Sequence, residues 1–527
     1  MDEMTMSSWY KSKVLPRFME FLNILRVVIR NKRGVLGIAI LVLFIFLAIG
    51  APLLTPYDPL LIPKGDKMYA SPFTLPSWVR YLPTYGNLSE NLNPIEGPSI
   101  STSASLQQWE FATNASSEYV SLEYSPDEGS PDSGPGCIAI NLRRGEITYE
   151  EKARAVLTKG FNYPYLNPPS KWVGKFYLKV EAPSNINITL ADLNITVFIK
   201  RADGETMTLW NSTDGLLHRL RPRVLRGNFS MGIWIKPSLS GNWTAGTVYP
   251  KLIDSDILDA EKKVFSAATN YTFGIEFMFG EFVSNVTVYV DDFNLKLYGE
   301  AFGLLGTDRF SRDIFSQLLY GTRISLLVGF LGAVFSTAIG LFVGMISGYF
   351  GGLIDEIMMR ITDTFLVIPE LPLLLVLVAV AGPSLWIIIL LISLLGWMGF
   401  ARMVRAQVLS LKERPFVDAS RILGGSELYI VFRVLAPNVM NLVYVTLAMS
   451  APAAIYSEAY LSFLGLYPFE VMTWGRILHD ALESTGGVSK WWWVLPPGLC
   501  IAAISISFIF IGYALDEVFN PKLRERF

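Results

Sequence analysis

Ile324-Ser-Leu-Leu-Val-Gly-Phe-Leu-Gly-Ala-Val-Phe-Ser-Thr-Ala-Ile-Gly-Leu-Phe-Val-Gly-Met-Ile-Ser-Gly-Tyr-Phe350 contains no charged residue. A helix needs about 20 apolar residues to cross a hydrocarbon core ~30 Å thick, and this stretch exceeds that length. Working outward, comparable runs fall at residues 35–54, 361–381, 385–409, 434–464 and 493–515. The first could be mistaken for a signal peptide. It starts too late and is too long, and Pro52 and Pro56 follow it without a small-residue cleavage site. Six spans are therefore expected, the fifth long enough to tilt or to break near Pro452. Trp491, Trp492 and Trp493 are expected to form an interfacial aromatic belt.

Composition agrees with a part-membrane chain. Only 17% of the 527 residues are charged, against about 25% in soluble domains. The mean hydropathy of +0.38 is nevertheless modest for a pure helical bundle. With 44 basic and 46 acidic residues there is no basic excess to favour nucleic acid. Two cysteines, Cys137 and Cys500, and two distant histidines, His218 and His479, argue against a metal site.

An even number of spans puts both termini on one side. Lys11, Lys13, Arg17, Arg26, Arg30, Lys32 and Arg33 precede the first span, and Arg402, Arg405, Lys412, Arg414, Arg421 and Arg433 lie in the loop at 402–433. The positive-inside rule makes that side cytoplasmic. Residues 57–300 are then outside. They carry 22 basic and 27 acidic residues of the 44 and 46 in the chain, leaving 44 − 22 = 22 basic and 46 − 27 = 19 acidic elsewhere. Alternation in Lys175-Phe-Tyr-Leu-Lys-Val-Glu181, Asn194-Ile-Thr-Val-Phe-Ile-Lys200 and Val286-Thr-Val-Tyr-Val-Asp291 predicts strands. A jelly-roll-like sandwich is expected, with residues 57–135 largely loop. Every Asn-x-Ser/Thr sequon lies in this block, at Asn87, Asn114, Asn187, Asn194, Asn211, Asn228, Asn242, Asn270 and Asn285, which supports its placement outside and suggests an archaeal or eukaryotic glycoprotein. The stretch Val288-Tyr-Val-Asp-Asp-Phe-Asn-Leu-Lys-Leu-Tyr298 resembles the last strand of carbohydrate-binding jelly rolls. Trp172, Trp210, Trp234 and Trp243 could stack on sugars, though core packing suits most of them better.

Between spans four and five, Pro415 can open a short helix and Gly424-Gly425 can end it. A helical wheel groups Phe416, Ala419 and Leu423, with Asp418 and Arg421 pointing away. Such a helix suits a partner's groove. Asp418-Ala419-Ser420, Gly424, Val434 and Pro437 resemble, in spacing, the EAA loop of ABC importer permeases, with Asp for Glu and Ser for the second Ala. Leu305-Gly-Thr-Asp308, Ser311-Arg-Asp313, Tyr320-Gly-Thr-Arg-Ile-Ser-Leu326, Gly348-Tyr-Phe-Gly-Gly352, Glu458-Ala-Tyr-Leu-Ser-Phe-Leu-Gly465 and Trp474-Gly475 narrow the resemblance to the C-type subunit of the dipeptide/oligopeptide family. Arg30-Asn-Lys and Ala51-Pro-Leu-Leu-Thr-Pro-Tyr-Asp-Pro59 extend it to the N-terminus.

The resemblance implies a polytopic α-helical membrane protein, a type I ABC importer permease of six transmembrane helices, with an inserted all-β extracellular domain that the family pattern does not explain. Its parts would be a cytoplasmic segment (1–33), the first span (34–56), the insertion (57–300), an outer-mouth segment (301–323), a five-helix core (324–515) containing the coupling loop 402–433, and a cytoplasmic tail (516–527). It implies a non-catalytic half-channel for oligopeptides or oligosaccharides. Its partners would be a homologous B-type permease, two ABC ATPases that hold ATP and Mg, an extracellular solute-binding protein and membrane lipid. No GxxxxGK[S/T] occurs, so no cofactor is expected in this chain. Expected ATPase-coupling residues are Phe416, Asp418, Ala419, Ser420, Arg421, Gly424 and Pro437. Glu370 and Glu458 are candidates for the solute pathway, because polar groups in spans are costly and often functional. Asp308, Arg312 and Asp313 are candidates for the outer mouth. Asp355 and Asp363 are expected to pair at the cytoplasmic interface, with Arg360 or a neighbouring chain. A secondary transporter would show internal repeats, which are not evident. A glycosylated carbohydrate-binding surface receptor would not need five further spans.

Overall fold

The computed structural model describes residues 28–63, 68–95, 102–130, 135–143, 152–181, 193–211, 244–248, 260–280, 285–484 and 490–519. The chain divides into two compact units, Met1–Leu61 with Arg312–Phe527, and Ile62–Ser311.

The first unit is helical. Its elements are α1 (Lys32–Leu54), α2 (Ile314–Phe350), α3 (Gly352–Val367), α4 (Glu370–Ala381), α5 (Leu385–Leu395), α6 (Met398–Lys412), α7 (Pro415–Ile422), α8 (Ala436–Phe463), α9 (Trp474–Leu482) and α10 (Trp491–Phe519). Among the described residues, four helices are long and apolar enough to cross a membrane, or six if two bent pairs each count as one span.

Those two pairs correct the expectation of simple third and fourth spans. α3 and α4 meet at 91°, and α5 and α6 at 40°. Pro369 forces Ile368 into extended backbone (φ −77°, ψ 128°), which ends α3. Span five behaves in the opposite way: helix continues through Pro452. Its irregularity lies instead at Ile430–Leu435, a wider turn of π type. Pro437 follows directly and cannot donate to the carbonyl four residues back. One residue further on, the Asn438 side-chain amide donates to the Val434 carbonyl at 2.7 Å.

α2 starts ten residues before its uncharged run. Asp313 caps it, accepting from Ser316 N at 2.7 Å. Arg323, which hydropathy placed outside the span, sits inside the helix. Pro52 in α1 leaves the Ala48 carbonyl without its helical donor. The Arg323 guanidinium supplies one to Ala48, and a second bond of 3.2 Å to Ile49.

Small residues set the packing. A Cβ placed on Gly340, Gly344 or Gly348 of α2 would come within 2.8, 2.4 and 2.9 Å of the Trp397, Ala401 and Arg405 carbonyls. Glycines four apart thus face carbonyls four apart along α6, the close approach that glycine stripes allow in membrane helices. α1 meets α10 the same way: Ser507 Oγ donates to the Gly37 carbonyl at 2.6 Å. Between the fifth and sixth apolar runs, α9 buries Trp474, Ile477 and Ala481 at helical spacing. Trp493 is fully buried, so only Trp491 and Trp492 keep the exposure an aromatic belt needs.

The second unit carries two antiparallel five-stranded sheets. One has the order β1 (Glu110–Thr113), β4 (Ala153–Tyr163), β9 (Thr269–Phe279), β6 (Leu193–Arg201), β7 (Thr206–Asn211). The other has the order β2 (Val120–Ser125), β3 (Cys137–Leu142), β10 (Val286–Tyr298), β5 (Lys171–Glu181), β8 (Thr244–Val248). Ile140, Leu178 and Val288 of one sheet share a core with Leu157, Ile195 and Phe273 of the other, so the pair is a sandwich. The three alternating segments lie in β5, β6 and β10. Residues 57–135, expected to be largely loop, also supply β1 and β2. β10 changes register against β5 between Asp291 and Asn294. Asp292 there adopts φ +49°, and the buried Asp291 carboxylate accepts from Ser130 N at 2.9 Å. Trp172 is core. Trp234 and Trp243 lie outside the described residues. Residues 301–311 fold back on this unit: Thr307 Oγ1 donates to the Ser71 carbonyl at 2.6 Å, and Phe73 N to the Asp308 carbonyl at 3.1 Å.

Candidate functional site

Pro415 opens α7, where no amide hydrogen is needed. The helix closes with two bonds of 3.0 Å, Gly425 N to Ser420 O and Gly424 N to Arg421 O. This is the Schellman arrangement, and it places Gly424 at φ +80°. Val417 is 0% exposed and packs in one cluster with Met345, Tyr349, Val404, Val408 and Ile430. That anchor on α2 and α6 was missed in the sequence, where the grouping of Phe416, Ala419 and Leu423 drew attention instead. The grouped residues face outward: Phe416 is 41% and Leu423 86% exposed, and Ile422 beside them is also 86% exposed. Asp418, Ala419 and Arg421 are exposed as well, while Ser420 is half-buried and donates to the Phe416 carbonyl at 2.9 Å.

α7 is tied to the helices on both sides. The Arg421 guanidinium lies 3.5 Å from Asp418 and 5.6 Å from the Tyr349 ring centre. Tyr349, near the end of α2, donates its hydroxyl to Glu427. Ser426 caps the turn Glu427–Tyr429, which runs into the wide turn before Pro437 and so into α8. A displacement of α7 would therefore reach α2 through Val417 and Tyr349, and α8 through the backbone.

Asp355 and Asp363 are paired, but not with Arg360. Asp355 receives two bonds of 2.5 Å from Arg405, and Asp363 pairs with Arg402. Arg360 reaches Glu356, at 4.0 Å on an exposed surface. Glu458 is 1% exposed and accepts from Ser462 Oγ at 2.6 Å. Glu370 differs from all of these. It begins α4 and borders a cleft of about 230 Å³ whose lining includes Ser336, Ser450 and Ser457. Ser457 donates to Glu370 Oε1 at 3.3 Å. Nothing in the sequence singled out Ser457, which lies 87 residues away along the chain.

Asp308, Arg312 and Asp313 are all buried. Arg312 forms an ion pair with Asp480 of α9 at 2.6 Å, with 2% and 4% of the two side chains exposed. Asp313 caps α2, and Asp308 Oδ1 accepts from Phe310 N at 2.8 Å. These groups hold chain segments in place.

Of the sequons, Asn87, Asn114, Asn270 and Asn285 are exposed. Asn194 and Asn211 are half-buried on the paired strands β6 and β7, where Asn211 donates to Thr196 Oγ1 at 3.2 Å. Asn187, Asn228 and Asn242 lie outside the described residues. No group of three His, Cys, Asp or Glu side chains positioned to hold a metal occurs among the described residues. Burial, reinforced by the charges of Asp291 and Glu128, pushes the Cys137 thiol up to about 12.

Residues 340–525 match the model of the binding-protein-dependent transport system inner membrane component, and residues 21–72 match the N-terminal TM domain of oligopeptide transport permease C. The dipeptide transport system permease protein DppC of Bacillus subtilis (strain 168) is 39% identical over 222 residues, covering 42% of this chain and 68% of that protein. The oligopeptide transport system permease protein OppC of the same organism is also 39% identical, covering 42% of this chain and 72% of that one. Among solved structures, an inward-facing form of the MetNI methionine ABC transporter aligns at 19% identity over 38% of this chain and 96% of that chain, with a TM-score of 0.29. The TmCBM61 complex with β-1,4-galactotriose aligns at 10% identity over 39% and 97%, with a TM-score of 0.20. Likenesses this slight identify neither fold nor ligand.

Proposed function

This chain belongs to the oligopeptide-permease C family of binding-protein-dependent importers, and from that premise we propose that it forms half of a peptide channel driven by ATP hydrolysis on separate subunits. The observation that carries the mechanism is α7. Three large apolar side chains, Phe416, Ile422 and Leu423, stand exposed on a helix fixed from behind by Val417. An apolar helix face of this kind suits a groove on an ATPase. Closure of an ATPase dimer around ATP and Mg would displace α7, and the linkages to α2 and α8 would carry that motion into the bundle. A homologous B-type permease would complete the channel, and an extracellular solute-binding protein would deliver the cargo.

The termini and the 402–433 loop are then cytoplasmic. The sandwich is extracellular, jelly-roll-like and glycosylated, as in an archaeal glycoprotein. The basic residues flanking the first span, the inner loop and the confinement of sequons support this orientation. Asp308, Arg312 and Asp313 would brace the outer mouth, while Glu370 faces the solute. Oligosaccharide cargo remains the second reading, favoured by the module-like β10 segment alone.

Reconstitution tests the proposal. Two ATPases and a second permease should co-purify with this chain, and proteoliposomes should accumulate peptide only with ATP and loaded binding protein. Asp418→Lys should leave ATP hydrolysis and abolish uptake. Uptake that survives this substitution overturns the coupling assignment.

A further inference from the structure

Glu370 combines two features: a hydroxyl partner with no basic one, and a place on the edge of a cleft. Asp355, Asp363 and Asp480 each have an arginine partner. Glu458 also lacks a basic partner, but it is 1% exposed and accepts from Ser462. Glu370 has the Ser457 hydroxyl and no basic side chain. It is exposed, and it lines the 230 Å³ cleft.

The cleft has a definite chemistry. Gly332, Gly396 and Gly399 keep its walls low, and Ser336, Ser450 and Ser457 add hydroxyls around the single carboxylate. It exceeds the cavity of about 150 Å³ that holds a benzene ring, yet is too small for a whole oligopeptide. One charged group with its neighbouring residue fits. A carboxylate inside a membrane protein is costly without a counter-charge. The hydroxyls add neutral hydrogen bonds but no positive charge.

We propose that the Glu370 cleft receives an ammonium group of the transported solute, with Glu370 accepting its charge and Ser336, Ser450 and Ser457 completing its hydrogen bonds. An ammonium has three donors and no acceptor, which matches one carboxylate and a ring of hydroxyl oxygens. Such a site selects against neutral solutes, which leave the carboxylate unpaired, and so favours peptides over sugars. The inference rests on the importer reading and assigns that reading a point of solute contact. Glu370 would bind each ammonium transiently.

The test uses the complete importer in proteoliposomes, with saturating binding protein loaded beforehand. The probes are one peptide sequence with a free or an acetylated amino terminus, each with and without a single lysine. The readout is solute imported per ATP hydrolysed. Wild type should favour ammonium-bearing peptides roughly tenfold, the size of one charge-assisted hydrogen bond. Glu370→Gln should bring the ratio close to one while loaded binding protein still stimulates ATP hydrolysis, and Glu370→Asp should retain part of the preference. A preference confined to free termini assigns the α-ammonium, and one shared by acetylated lysine peptides assigns any ammonium. An unchanged ratio in Glu370→Gln overturns the proposal. So does loss of the second permease from Glu370→Gln preparations, which would make Glu370 a subunit contact. If wild type imports none of the four peptides with ATP, the importer reading itself fails and the cleft assignment falls with it.

Discussion

The two ends of α2 solve opposite problems. Where it begins, Arg312, Asp313 and Asp480 are buried charges, each held by a partner. Where it ends, the charges of α7 are exposed and so are its largest apolar side chains, with Val417 alone plugged into the bundle. Buried pairs fix one geometry, because separating them leaves an uncompensated charge. An exposed apolar face on a single anchor leaves a surface free for a partner. On the proposed reading, one end holds and the other makes contact.

Substitutions can break or sharpen that contrast. Arg312→Met removes the guanidinium that pairs with the buried Asp480 and should cost roughly 3 to 5 kcal/mol, read as a lower melting temperature and yield of purified permease. The double variant Arg312→Met/Asp480→Met should recover much of the loss. A wild-type melting curve for the single variant would break the comparison. Val417→Ala should cost about 2 kcal/mol and loosen α7, so the ratio of uptake to ATP hydrolysis should fall. Gly424→Ala meets no atom within 4 Å of its new Cβ, yet must hold φ +80°. Its cost should be the backbone penalty alone, about 1 to 2 kcal/mol, and coupling assays should place it between wild type and Val417→Ala. Leu423→Ser should change stability by no more than about 0.5 kcal/mol while sharply reducing ATPase co-purification. Unimpaired ATPase capture by Leu423→Ser would remove the contact role from this end.

Hydropathy found the six apolar runs because membrane solvent imposes length and composition directly. It could not see the interruptions. The 91° turn at Ile368–Pro369 follows from one restricted dihedral inside a run that still averages as apolar. Arg323 looked like a boundary because the carbonyl freed by Pro52 is 275 residues away along the chain. α9 was missed because a nine-residue helix carries only about two and a half turns of periodicity. In the sandwich, strict alternation marked β5, β6 and β10, whereas β1 and β2 lie among Ser, Asn and Pro. At α7 the end signals were legible, Pro at the start and paired glycines at the finish. Which face is anchored was not, since Val417 acquires its partners only when α2 and α6 arrive. The same holds for Glu370: its type and setting were readable, but the serines around it come from two other helices, α2 and α8.

The bond between Ser507 and Gly37 spans 470 residues of chain, so α1 and α10 cannot meet until synthesis is nearly finished. At roughly 5 to 20 residues per second, the first helix must wait on the order of half a minute to a minute and a half for its neighbour. During that time the whole sandwich emerges between the two. α1 must therefore hold its place in the lipid without α10 for that time, and the apolar length that follows Lys32-Arg33 is what permits that.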